Sequence, residues 1–208
     1  MRVLVACEES QGVCKAFRAR GHEAYSCDLQ ECSGGHPEWH IQDDVLKHLN
    51  DGWDMMIGFP PCTYLSSVQT FICRTDSQRV MKRIDGAKFF MELYNYPIEK
   101  IAIENPTGVM SHIFREPDQI IHPYYFGDSV MKRTGLWLKN LPKLIHTPST
   151  NMFGECTYGV VPPPEKTWIQ KSTGKMKYQR QVNRPFISGK ERSVLSTNIA
   201  RAMAEQWG

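Results

Sequence analysis

Residues 2–28 read RVLVACEESQGVCKAFRARGHEAYSCD, and the periodicity inside them decides the fold. Arg2 to Cys7 is a short apolar run, Glu8 to Gly12 is polar, and Val13 to Arg20 carries apolar residues at helical spacing. Gly21 punctuates the end of that helix, and Glu23 to Cys27 alternates like a second strand that stops at Asp28. The result is a βαβ unit. Working outward, Trp53 to Phe59 is another apolar run, stopped by Pro60 and Pro61, followed by a helical stretch from Gln78 to Tyr94 and a strand from Ile101 to Glu104. Strands alternating with helices predict an α/β fold with a mostly parallel sheet covered on both faces. Ligands bind such sheets at the carboxyl ends of the strands, which gathers Glu8, Asp28, Cys62 and Glu104 on one rim.

The second half reads differently. Tyr124–Phe126 and Leu136–Leu138 are expected to be two more strands, bracketing the turn residues Gly127 to Gly135. Asn140 to Arg192 is rich in Pro, Gly, Thr and Lys with little periodicity, so residues 1–139 and 193–208 form the main domain and 140–192 a short basic insertion. Within it Lys166, Lys171, Lys175, Lys177, Arg180, Arg184, Lys190 and Arg192 face a single acid, Glu191, over residues 166–192. Trp168 and Tyr178 lie among them, the mixture expected of a surface that meets phosphates and stacks on bases; the plainer reading is a solvated loop. Ser193 to Trp207 has the pattern of a closing amphipathic helix.

At 208 residues the chain is long enough for one self-sufficient core. A net charge of +3 does not by itself argue for a polyanion partner, so the local concentration of bases matters more. No run of about 18 apolar residues and no leader pattern occurs, and the expectation is a cytoplasmic protein without a membrane span. Seven cysteines, an odd and irregularly spaced set, read as reduced thiols rather than a disulfide framework.

The sharpest local signal is Gly58-Phe59-Pro60-Pro61-Cys62, where two prolines hold a cysteine on a rigid turn at a strand end. A thiol attacks only as thiolate, which needs partial exposure near positive charge or a helix N-terminus; a lone cysteine is otherwise an inert small apolar residue. The second signal is Ile103-Glu104-Asn105-Pro106, a carboxylate at the end of an apolar strand, placed to be a proton donor if burial raises its pKa and a structural ion-pair partner if not.

Together, in this order and about 40 residues apart, the two segments resemble those of the cytosine-C5 DNA methyltransferases. The resemblance implies a Rossmann-like, S-adenosylmethionine-dependent methyltransferase fold. It implies Cys62 as nucleophile, Glu104 as proton donor, and Asn105 and Arg133, in Phe126-Gly127 to Leu138, as residues that contact the base. For the methyl donor it implies the first loop, with Cys7, Glu8, Ser10 and Gly12, then Asp28 on the ribose, Asp44 of Gln42-Asp43-Asp44-Val45 near the adenine, Pro60, and Asn198 of Thr197-Asn198-Ile199-Ala200. Ser66 matches a serine of the nucleophile loop. The basic stretch with Lys171, Lys175, Lys177, Arg180 and Arg184 stands where the family reads DNA. The family's first loop carries Phe-x-Gly-x-Gly, whereas Cys7-Glu8-Glu9-Ser10-Gln11-Gly12 keeps only the last glycine.

The implied substrate is duplex DNA with the target cytosine flipped out into a pocket rimmed by Tyr64 and Phe59, with no obligate protein partner. Two other readings remain open: covalent C5 modification of cytosine in RNA or a mononucleotide, with methyl or another one-carbon-derived group, and a non-catalytic nucleic-acid-binding module of the same fold. Cys27, Cys32, His36 and His40, spaced C-x4-C-x3-H-x3-H, would suit zinc in the latter. The favoured reading has no metal. Glu8 and Glu9, as neighbours on an extended segment, point opposite ways and do not suit a paired acid and base.

Overall fold

The computed structural model describes residues 1–66, 76–128, 132–146 and 195–208 in full, and the backbone of short strands at 149–150, 156–157, 164–169 and 176–180. The sheet begins with β1 (Arg2–Ala6), then α1 (Gly12–Arg18), β2 (Glu23–Asp28), β3 (His40–Gln42) and β4 (Met55–Gly58). It continues through α2 (Ser77–Asn95), β5 (Lys100–Asn105), α3 (Val109–Ile113), β6 (Gln119–Ile121) and β7 (Thr134–Lys139), and the chain closes with α4 (Thr197–Trp207). The seven strands lie in the order β3-β2-β1-β4-β5-β7-β6. The first five are mutually parallel, and β7 runs antiparallel between β5 and β6. This is a Rossmann-like α/β fold with a mostly parallel sheet.

Alternation along each strand divides the core between the two faces. Val3 and Val5 of β1, Met55 and Ile57 of β4, and Ala102 of β5 pack with Val13 and Phe17 of α1 and Ile199, Met203 and Trp207 of α4. Leu4, Ala6, Met56, Ile101 and Ile103 point the other way, against Phe90 and Leu93 of α2. Both sets are buried, which is why the central strands read as unbroken apolar runs. Gly58 fits this packing closely: a Cβ there would stand 2.8 Å from Ile103 Cδ1, so the end of the Ile103 side chain would have to shift to admit one.

Helix α4 starts at Thr197, later than its sequence pattern suggests, with the Ser196 hydroxyl accepting from the Ile199 N–H at 3.4 Å as its cap. It returns the C-terminus to the first half of the sheet. The packing of the first unit runs past Lys139: Leu144 is buried in this core, Trp207 Nε1 donates to the Pro142 carbonyl at 2.9 Å, and Gln206 exchanges two hydrogen bonds with Ile145. In the following region the structure describes two antiparallel strand pairs, 149–150 with 156–157 and 164–169 with 176–180.

One expected strand is corrected. Tyr124–Phe126 lies in a 3-10 helix, Pro123–Phe126, started by Pro123 and ended by Gly127 at φ 96°. Tyr124 and Tyr125 meet at a tilt, Phe126 meets His146 edge-on, and Tyr125 stacks on His146 at 4.8 Å, so aromatic packing replaces ladder pairing. The strand beside β7 is instead Gln119–Ile121, which together with the equally short β3 was absent from the expectation. Among the described residues no helix is long and apolar enough to cross a membrane.

Candidate active site

Parallel strands β1, β2, β4 and β5 end on one side of the sheet, and the loops that follow them enclose a cavity of about 530 Å³. Cys7, Glu8 and Ser10 after β1, Asp28 at the end of β2, Pro60 and Cys62 after β4, and Glu104 of β5 all line it. The rim inferred from strand order is therefore a physical cavity.

Cys62 is exposed at this cavity. Its carbonyl accepts the N–H groups of Leu65 and Ser66, each at 3.1 Å, so the two prolines lead into a tight turn. Ser66 then bridges Gly108, and the Val109 N–H donates to the Leu65 carbonyl at 2.9 Å, tying the loop to the segment after β5. The thiol does not have the depressed pKa that a strand-to-helix turn could have provided. Although the residue is exposed as a whole, its thiol pKa is raised, first by desolvation against the protein atoms packed around it and then by the Glu104 carboxylate, against the opposing pull of Lys132.

Glu104 is only 9% exposed, and burial raises its carboxyl pKa against the lowering influence of Lys132 and the Thr134 hydroxyl. Lys132 Nζ stands 3.9 Å from Glu104 Oε1, beyond hydrogen-bond reach, and among the described residues that oxygen has no donor. The two shifts are linked. A Glu104 that keeps its proton no longer opposes ionisation of Cys62, and Lys132 favours the thiolate.

The donor-loop residues fall into two groups. Glu8 faces the cavity but also accepts from the N–H groups of Val13 (2.7 Å) and Cys14 (3.2 Å), so it caps α1 from outside the helix. Burial pushes its carboxyl up to about 7 despite those bonds. The Cys7 thiol is pushed up to about 12 by burial and the nearby Asp28, and is inert at neutral pH. Asp28 Oδ1 accepts from the Gln30 N–H at 2.8 Å, which leaves Oδ2 for a ligand.

Gly12, Asp44, Ser66, Asn105, Arg133 and Asn198 are not part of the cavity wall. Asp44 caps the short 3-10 helix Val45–Lys47 through the Leu46 N–H at 3.0 Å. Asn105 is fully buried, with its Nδ2 donating to the Pro60 carbonyl at 2.9 Å. Asn198 Nδ2 donates to Asp128 Oδ1 at 2.9 Å at the start of α4. Arg133 is exposed, and the neighbouring Lys132 faces the cavity in its place. Phe59 lines the cavity; Tyr64 does not, lying under Lys82 Nζ at 5.6 Å with its carbonyl bonded to Arg83 Nε at 2.9 Å. Besides Lys132, the wall includes Gln30 and Leu195, which nothing in the sequence marks. Lys171, Lys175 and Arg184 lie outside the described residues, and Lys177 and Arg180 fall on the strand 176–180, described as backbone alone.

The four residues spaced for zinc are engaged separately. Cys27 Sγ donates to the Asp43 carbonyl and Cys32 Sγ to Gln11 Oε1, His36 pairs with Glu38, and His40 bridges Ser26 Oγ and the Gln30 carbonyl. Among the described residues no group of three or more His, Cys, Asp or Glu side chains could hold a metal ion.

No family model matches this chain, and no curated protein matches it. Among solved structures, a proposed DNA modification methyltransferase encoded within a prophage of E. coli is similar at 15% identity and a TM-score of 0.44, covering 66% of this chain. The present chain spans 46% of that protein's length.

Proposed function

We propose that the chain transfers a methyl group from S-adenosylmethionine to C5 of cytosine in DNA, through a covalent adduct of Cys62 at C6. The observation that carries this reading is that Cys62 and Glu104, two elements apart in the chain, share one cavity with Asp28. At about 530 Å³ the cavity is within the usual range for small-molecule sites.

The residues present fit such a donor. Asp28 at the end of β2 has a carboxylate oxygen for a ribose hydroxyl, and Glu9 and Asp28 on the same wall suit a ligand carrying a sulfonium and an ammonium group. When bound, S-adenosylmethionine supplies an electrophilic methyl group.

C5 of cytosine is a poor nucleophile until a thiolate adds to C6. The Cys62 thiolate forms the C6–S bond, while the proton held by Glu104 passes to N3 and neutralises the charge that addition places on the ring. Lys132, on the same wall, favours the thiolate before addition. C5 would then take the methyl group, the methyl–sulfur bond of the sulfonium donor breaking to leave the neutral thioether S-adenosylhomocysteine. Loss of the C5 proton to solvent restores the C5–C6 double bond, breaks the C6–S bond and returns the Cys62 thiolate, while the N3 proton passes back to Glu104. Neither face of a base stacked in a duplex admits this attack, so the cytosine is flipped out.

The test is to incubate purified protein with mixed-sequence duplex DNA and methyl-labelled S-adenosylmethionine, then map the modified bases by sequencing. Label at C5 of cytosine is expected. Label on an exocyclic amine, or incorporation into dCMP but never into duplex, would overturn the reading.

A further inference from the structure

We propose that Gln11 is the positioning residue of the donor-side wall, its buried side chain locking the first loop to the β2–β3 connection. This inference rests on the proposed function, because it assigns the wall to a methyl donor.

The geometry is unusual for a glutamine. Gln11 is fully buried and sits at φ 59°, in the left-handed region that favours glycine. It occupies the cap position of α1, yet its side chain makes no cap bond; Glu8 satisfies the first-turn N–H groups of Val13 and Cys14 instead. The freed amide reaches across to the β2–β3 connection. Its Nε2 donates to the His36 carbonyl at 2.8 Å and to Ser26 Oγ at 3.3 Å, and its Oε1 accepts from the His36 N–H at 3.0 Å and from Cys32 Sγ at 3.1 Å.

The connection is shaped to receive it. A Cβ at Gly34 would stand 2.5 Å from both Gln11 Cβ and the Ser10 carbonyl oxygen, so only glycine permits the approach. The Ser33 N–H donates to the Glu9 carbonyl at 2.9 Å, and Lys15 Nζ to the Gly34 carbonyl at 3.2 Å. Residues 8–11 and 32–36 are therefore one interlocked unit. Glu8, Glu9 and Ser10 on one side of the lock belong to the cavity wall, whereas Gln11 itself does not line it. Gln11 thus acts through its neighbours. A buried amide satisfied at both ends holds the wall in one arrangement, since withdrawing the part-buried His36 backbone would leave the amide's own N–H and oxygen short of partners in the interior, which is costly.

Two variants separate backbone conformation from the side-chain lock. Gln11→Gly keeps the left-handed backbone and removes the lock; Gln11→Glu keeps size and shape but, when ionised, has no N–H for the His36 carbonyl and Ser26. Affinity for S-adenosylmethionine is measured by calorimetry, and KM and kcat by methyl transfer to duplex DNA. Both variants are expected to raise Kd and donor KM by about tenfold or more, with kcat at saturating donor and the alkylation rate of Cys62 within about twofold of wild type. Gln11→Glu should regain affinity at acid pH, where a protonated carboxyl again donates; a merely destabilising change would not. Wild-type donor affinity in Gln11→Gly, or an equal loss of kcat and Cys62 reactivity, would overturn the proposal while leaving the methyl-transfer reading intact. Failure of wild type itself to bind S-adenosylmethionine would overturn both.

Discussion

Asn105 Nδ2 donates to the Pro60 carbonyl at 2.9 Å, a fully buried bond that ties the end of β5 to the turn carrying Cys62. The residue beside the candidate acid therefore sets where the candidate nucleophile stands. Asn105→Ala should lower kcat by at least about tenfold and cost on the order of 1–3 kcal/mol of stability for the carbonyl left unpaired. Donor affinity should fall by less than kcat, since Pro60 is one part of a cavity wall whose Asp28 side is untouched. Urea unfolding and calorimetry with S-adenosylmethionine check the two parts separately.

Cys62→Ser should abolish turnover, by at least about a thousandfold, while leaving fold and donor binding unaltered, because a serine hydroxyl is a far weaker nucleophile at neutral pH. Retention of more than about a tenth of wild-type rate would exclude covalent addition through this residue.

Glu104→Gln should separate thiol reactivity from turnover. The Glu104 carboxylate is the second cause that raises the Cys62 pKa, after burial, so removing its charge shifts the iodoacetamide alkylation profile of Cys62 to lower pH. Methyl transfer should nevertheless fall, since the proton donor is gone. Lys132→Met should act in the opposite sense on the thiol, moving the alkylation profile to higher pH, and Arg133→Met should do neither.

Glu8 makes stability depend on pH in a defined direction. Its carboxyl is raised from an ordinary 4.5 to about 7, so the protonated form is the one the fold favours. Its contribution is fully present below about 4.5 and is lost as pH rises through about 7. Relative to Glu8→Gln, wild type should therefore lose on the order of 3 kcal/mol between about pH 4 and about pH 8. Urea midpoints of both proteins across that range measure it, and parallel curves would show that Glu8 does not titrate there.

For the basic stretch, replacing Lys175 and Lys177 together with alanine should weaken binding to all duplex sequences and flatten the salt dependence by about two in the log–log slope, one condensed counterion for each phosphate that the variant no longer neutralises. Equal binding of wild type and the double variant across a salt series would mark the stretch as a solvated surface.

The residues themselves specify the sheet and the position of the cavity. Val3 to Ala6, Met55 to Ile57 and Ile101 to Ile103 are buried on both faces, so their apolar runs leave little freedom, and the polar residues that end them fall on one rim for topological reasons. Cys62 and Glu104 are legible for that reason. Strands β3 and β6, three residues each, carry too few side chains for a period to show, and the aromatic run Tyr124–Phe126 has a strand's composition but a 3-10 conformation set by Pro123 and its ring contacts with His146. Tertiary structure alone decided which of Lys132 and Arg133 faces Glu104, because neighbours at the entry to a strand point to opposite sides and sequence does not say which is inward. It also turned Asn105 onto Pro60 and revealed the Gln11 lock, since both depend on the approach of segments 45 and 25 residues apart. Local pattern encodes burial and period; it does not encode which distant carbonyl a buried amide will meet.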